Sequence, residues 1–67
     1  MNNINHRVVL YHEAIEFFEE YVKPCIEHAY SKDDSIAIRE GWNDYVDMLN
    51  KDGEISDWQA HNWSNPY

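Results

Sequence analysis

Cysteine occurs once in the 67 residues, at Cys25. No intrachain disulfide can form, which excludes the stapled class of small secreted scaffold. Glycine and proline number two each, and there is no glycine-rich phosphate loop, internal repeat or low-complexity segment. Cations are scarce: 5 Lys/Arg stand against 13 Asp/Glu, a formal net charge of -8. Direct electrostatic binding to DNA, RNA or anionic lipid is therefore disfavoured. No apolar run approaches the length of a membrane span, and the leading stretch MNNINHRVV lacks the apolar core of a signal peptide. The expectation is a soluble, cytoplasmic protein with no direct contact to nucleic acid or membrane. Apolar character is what remains: 43% of residues are hydrophobic and 15% aromatic, too many for a disordered acidic tail. A chain this short forms one domain and buries only about 60% of its unfolded surface, so its core is small. Such scaffolds commonly lean on a disulfide, a metal or a partner chain.

The pattern is helical throughout, and the fold class is all-α: an antiparallel helical hairpin plus a short C-terminal helix, in a single domain over 1–67 with 1–7 as a frayed lead-in. Between Val8 and Tyr30 the apolar positions Leu10, Tyr11, Ala14, Ile15, Phe17, Phe18, Tyr21, Val22, Cys25, Ile26 and Ala29 recur at steps of three and four. This predicts an amphipathic first helix. Pro24 falls inside it and denies an N–H to the Glu20 carbonyl, which predicts a kink; two shorter helices with Pro24 in the first turn of the second are the alternative. The connector 31–35 offers Ser31 or Asp33 as N-cap of a second helix over 33–51, which stacks Ile38, Trp42, Tyr45, Val46 and Leu49 on one face. Gly41 flanks that stripe, where close approach of the first helix or simple exposure would each accommodate it. Gly53 is suited to the left-handed residue beyond a helix end, with Ile55 packing back. Ser56 and Gln59 read as a capping box for a third helix over 57–63, and Ser64-Asn65-Pro66 as a terminating turn. The expected core is Tyr11, Ala14, Phe18, Val22, Ile38, Trp42, Val46 and Leu49.

Two motifs resemble metal sites and fall short. Asn50-Lys51-Asp52-Gly53-Glu54-Ile55-Ser56 has the middle of a calcium loop, but Met48 and Gln59 occupy the positions that need the opening Asp and the bidentate closing Glu. Helix-end chemistry accounts for the same residues. Cys25 and His28 lie three apart on a helix, and a structural zinc needs four ligands; His6, His12 and His61 would have to converge on them. Cys25 lies in the apolar phase, which predicts a small core residue. No metal and no cofactor is expected. Nor is catalysis: three short helices hardly enclose a pocket of about 300 Å³ or more, and no nucleophile elbow or paired ExxH motif occurs.

The acidic faces carry more information. Glu13, Glu16, Glu20 and Glu27 run down the outside of the first helix, and Glu40, Asp44 and Asp47 down the second. Neighbours three or four apart lie about 5–6 Å from each other on a helix, a spacing broadly comparable to that of phosphates along a nucleic-acid strand, one per ~3.4 Å of axis. Like charges at this spacing cost about 0.2–0.5 kcal/mol per pair, which a small core tolerates poorly unless the rows do something. They could imitate phosphates; the plainer reading is a solvated surface kept soluble by charge. The apolar faces also exceed what one hairpin needs. Phe17 lies at one margin of the first helix, and Trp58, Trp63 and Tyr67 crowd the C-terminal region. They would fill a core short of residues, or anchor an interface with another protein or with a second copy in a homodimer.

The run Trp42-Asn43-Asp44-Tyr45, Asp47, Leu49, Asp52-Gly53-Glu54-Ile55, Gln59 and Asn62-Trp63-Ser64-Asn65-Pro66 resembles small accessory proteins of tailed bacteriophages, over about residues 39 to 66. The resemblance implies a phage-encoded protein acting in the cytoplasm of an infected bacterium. Small acidic proteins of that kind inhibit host nucleic-acid enzymes, restriction and CRISPR effectors among them. No inhibitor contact motif is matched, so the resemblance assigns no residue a role. Together these readings predict an acidic inhibitor of a host nucleic-acid-binding protein, with carboxylates from Glu13 to Asp47 and aromatics at Phe17, Trp58, Trp63 and Tyr67 as contacts. A small interaction or assembly module working through its apolar face is the alternative.

Overall fold

A computed structural model describes residues 9–31 and 33–67. The expected lead-in over 1–7, the helix start at Val8 and His6 lie outside the described residues. Among those described, all regular structure is helical and no strand occurs. The elements in order are α1 (Tyr11–Phe17), a π-helical turn (Phe18–Val22), α2 (Lys23–Ala29), α3 (Ser35–Lys51) and α4 (Asp57–Asn62). The first three join into one helical rod of 19 residues. It starts three residues later than the apolar pattern suggests, because Leu10 is still extended. The Glu13 carboxylate then reaches back and accepts the Leu10 N–H at 3.0 Å, satisfying one of the helix's orphan donors.

Pro24 does not split the rod. The turn before it widens to π geometry, with the Lys23 N–H bonded to the Phe18 carbonyl five residues back. A π turn holds roughly one residue more than an α turn. It relieves the clash between the proline ring and the carbonyl four residues before it, and it resets the helical phase. Ala14, Phe18, Val22 and Ile26 thereby stay on the side that packs against the core. The same reset corrects the expectation for Cys25. Its side chain is exposed rather than in the core, with the thiol donating to the Tyr21 carbonyl at 3.3 Å.

The cap of α3 is also corrected. Asp34, not Ser31 or Asp33, accepts the Ala37 N–H at 2.9 Å. Ser31 is engaged one turn earlier, where its hydroxyl accepts the Asp33 N–H at 3.2 Å. At the other end of α3, Gly53 takes φ +77°, a conformation that costs glycine nothing. The Glu54 N–H then returns to the Leu49 carbonyl at 2.9 Å, and Ile55 is buried against the core. Ser56 and Gln59 form the expected box: the Gln59 N–H bonds to the serine hydroxyl at 3.1 Å, and the Ser56 N–H to the glutamine carbonyl at 2.7 Å. Gln59 also donates to the Val9 carbonyl at 3.0 Å, fastening α4 to the head of α1. The helix stops at Asn62 rather than Trp63, which turns to extended backbone.

The buried core is Ala14, Phe18, Ile38, Trp42, Tyr45, Val46, Leu49 and Ile55. Tyr11 and Val22, expected inside, are only partly buried; the Tyr11 hydroxyl reaches out to the Ser64 carbonyl at 2.7 Å. Phe18 and Trp42 meet edge to face with ring centroids 5.3 Å apart, a geometry that adds about 0.5–1.5 kcal/mol beyond burial. Gly41 is a notch for the rod. A Cβ there would collide with the Ile26 δ-methyl, while the Phe18 ring tip lies 3.9 Å away. Close approach, and not chance exposure, is what this glycine permits.

Candidate functional site

Six of the seven carboxylates predicted as contacts fall into three regions. Glu13, Glu16 and Glu20 flank Phe17 and Tyr21 on the first rod. Glu40 and Asp44 open onto a cleft beside Ile26 and Tyr30. Asp47 lies on the other side of α3, near His61 and Trp63 of the C-terminal segment. Glu27 is partly buried. The seven are not equivalent: one oxygen of Glu13 caps the helix, and Asp47 pairs with Lys51 at 3.1 Å. Lys23 pairs with Glu19 at 3.5 Å. Among the described residues no other ion pair forms. Glu16, Glu20, Glu40 and Asp44 are exposed and uncompensated there. The Glu20 carboxylate beside Tyr21 raises that phenol above its usual value.

The four aromatics divide. Phe17 is 52% exposed. It packs against Tyr21, centroids 4.6 Å apart, and lies parallel to Tyr45 at 6.2 Å. Trp58 is 69% exposed on α4. Trp63 and Tyr67 serve the core instead. Trp63 packs on Tyr11 at 5.4 Å, and the Tyr67 ring covers Phe18 at 5.2 Å and Trp42 at 6.1 Å. A strap over 63–67 holds them there. Asn65 donates to the Arg39 carbonyl at 2.9 Å and to the Asn43 side chain at 3.1 Å. The Tyr67 hydroxyl donates to Glu19. That bond, reinforced by Lys23, holds the Glu19 carboxyl below its ordinary value, while burial and then Glu19 push the Tyr67 phenol up.

On the side where Phe17 meets Tyr45 there is a shallow groove of about 210 Å³. Its floor and walls are Val9, Phe17, Tyr45 and Met48, and Glu13 and Glu54 stand on it. The groove and its acidic rim were not read from the sequence. Tyr45 was read there only as part of the apolar face of the second helix, and Met48 was considered only as a missing calcium ligand. The usable signal is that Met48 lies three residues beyond Tyr45, beside the apolar stripe rather than opposite it.

No three His, Cys, Asp or Glu side chains converge as a metal cluster among the described residues. Cys25 and His28 are both exposed. The stretch resembling a calcium loop is tied up as a helix end, where the Asn50 amide donates to the Ile55 carbonyl at 3.3 Å and to Asp57 at 2.9 Å. The chain matches no family model, no curated protein and no solved structure.

Proposed function

We propose that this protein binds a basic, nucleic-acid-binding surface of another protein and occludes it. On the phage resemblance, the target is a host defence or DNA-processing protein, such as a restriction or CRISPR effector, in the cytoplasm of an infected bacterium. The observation that carries the reading is the set Glu16, Glu20, Glu40 and Asp44. These carboxylates are exposed, fixed on helices and without an ion pair among the described residues, in a chain of net charge -8. Lys and Arg that ordinarily hold phosphates would meet carboxylates at similar intervals. Each such contact is weak at an exposed surface and screened by salt. Several together speed encounter, and desolvated aromatics slow dissociation.

The test is charge reversal of Glu16, Glu20, Glu40 and Asp44 to Lys. Helicity should persist, since none of the four caps a helix or sits in the core. Blocking of the target should fall by orders of magnitude and lose most of its salt dependence. A folded quadruple variant that blocks as well as the original chain would sink the reading.

A second reading rests on Phe17, Tyr21 and Met48, each about half exposed or more: an interaction or assembly module that works through its apolar face, toward another protein or a second copy. It expects Phe17→Asp to abolish association while charge neutralisation changes little.

A further inference from the structure

The groove between α1 and α3 has a floor and a rim of different chemistry. Phe17 and Met48 expose 52% and 48% of their surface, and Tyr45 lies parallel to the Phe17 ring. Aromatic rings give a flat, rigid wall at little entropic cost, and a methionine adapts to whatever is laid against it. Glu13 and Glu54 stand on this apolar floor, and no Lys or Arg lines it among the described residues. Glu16 and Glu20 continue the negative charge past Phe17 and Tyr21. Glu54 lies close enough to Tyr45 to raise its phenol, after the larger effect of burial.

Complementarity selects among occupants. An acidic segment would be repelled by the rim. A second copy of this chain carries the same -8 charge and would set like against like. A purely basic, apolar-free chain would leave the floor wet. An amphipathic helix with an apolar stripe and cationic margins satisfies both parts, in the helix-in-groove mode where anchors one turn apart enter an apolar trough. We propose that this groove receives a basic amphipathic helix of the partner protein, its apolar anchors against Phe17, Tyr45 and Met48 and its Lys or Arg side chains toward Glu13 and Glu54. The proposal rests on the basic-partner reading above and narrows it to a structural element of the partner.

The experiment uses the full chain, isotope-labelled at the methionine methyls, and two synthetic peptides of about 18 residues. The first has leucines at i, i+4, i+7 and i+11 flanked by lysines; the second keeps the lysines and replaces the leucines with serine. At about 0.15 M salt the first peptide should bind saturably and shift the Met48 methyl, and the second should not. Phe17→Ser, a change at an exposed position, should weaken binding about tenfold. Glu54→Lys should weaken it several-fold and reduce its salt dependence. Equal binding of both peptides would overturn the proposal and leave the acidic reading standing. So would no binding of either, whether the chain sediments as a monomer or as a dimer that Phe17→Ser dissociates; the dimer would mean that a second copy fills the groove. None of the four residues reversed to test the acidic reading lines the groove, so failure of one claim is separable from failure of the other.

Discussion

Tyr67 covers the Phe18 and Trp42 rings from outside and hands its hydroxyl to Glu19, 48 positions away. The contact ties acid stability to one carboxylate. Glu19 has a folded pKa lowered below its ordinary 4.5, chiefly by that hydroxyl. Its contribution is therefore present above 4.5 and lost as pH falls through the lowered folded value. Tyr67→Phe should move the Glu19 pKa back up, soften the acid limb of stability, and cost about 1 kcal/mol or less at neutral pH, since the pair is exposed. Carboxyl NMR titration and urea melts at several pH values read both. The Tyr67 phenol moves the opposite way: its share holds below its ordinary value of 10.0 and is lost in stronger base. Phe18 has no such subtlety. It is fully buried, so Phe18→Ala should cost about 3–5 kcal/mol. At ~0.05–0.15 kcal/mol per residue a domain this size has only about 3–10 kcal/mol to lose, so urea melts should show the variant stripped of a large share of its stability. Phe18 and Trp42 were legible as core because helical phase alone fixes them. Trp63 and Tyr67 stayed open between core and interface, because their partners are tertiary and nothing local in Asn62 to Tyr67 points to Glu19 or Tyr11.

Helix ends were legible where a local rule decides them: Gly53 at φ +77° and the Ser56–Gln59 box stand where the sequence puts them. Ser56→Ala should cost about 1 kcal/mol, measurable by urea denaturation. The cap at Asp34 was missed by one residue because Ser31, Asp33 and Asp34, within a span of four, each carry a suitable oxygen, and only the path of the turn chooses. The rod through Pro24 was half legible. Proline forbids a regular turn, but whether the helix breaks, bends or widens depends on what the next segment must touch. Here Ile26 must reach the notch at Gly41, and the π turn brings it round while turning Cys25 out. The notch makes a prediction against helix propensity. Gly41→Leu would gain about 1 kcal/mol from propensity, yet should lower stability by about 1–3 kcal/mol net, because overpacking separates the rod from α3. Gly41→Ala should fall near zero, since a propensity gain of about 1 kcal/mol is offset by the shift its Cβ forces on the Ile26 δ-methyl. Thermal melts of the two variants test the pair, and a stabilised Gly41→Leu would mean the helices are not in close approach.

At the scale of the whole molecule one side of the hairpin is closed and another is open. The segment 63–67 seals the Tyr11, Phe18 and Trp42 side, while among the described residues Phe17, Tyr21 and Met48 stay about half exposed beside carboxylates that form no ion pair there. The acidic character was legible from composition, but its division into regions was not: capping by Glu13 and pairing of Asp47 with Lys51 are decided by geometry. Because the open surface is negative, the partner proposed above should be positive and the encounter should depend on salt. The most direct test immobilises the chain, loads it with bacterial lysate at low salt, and challenges the captured proteins with excess duplex DNA. If the carboxylates occupy a phosphate-binding surface, a nucleic-acid-binding protein should be released by the duplex and should be missing from beads carrying the variant with Glu16, Glu20, Glu40 and Asp44 changed to Lys. A captured set that duplex DNA does not displace, and that the reversed variant retains in full, would contradict the account.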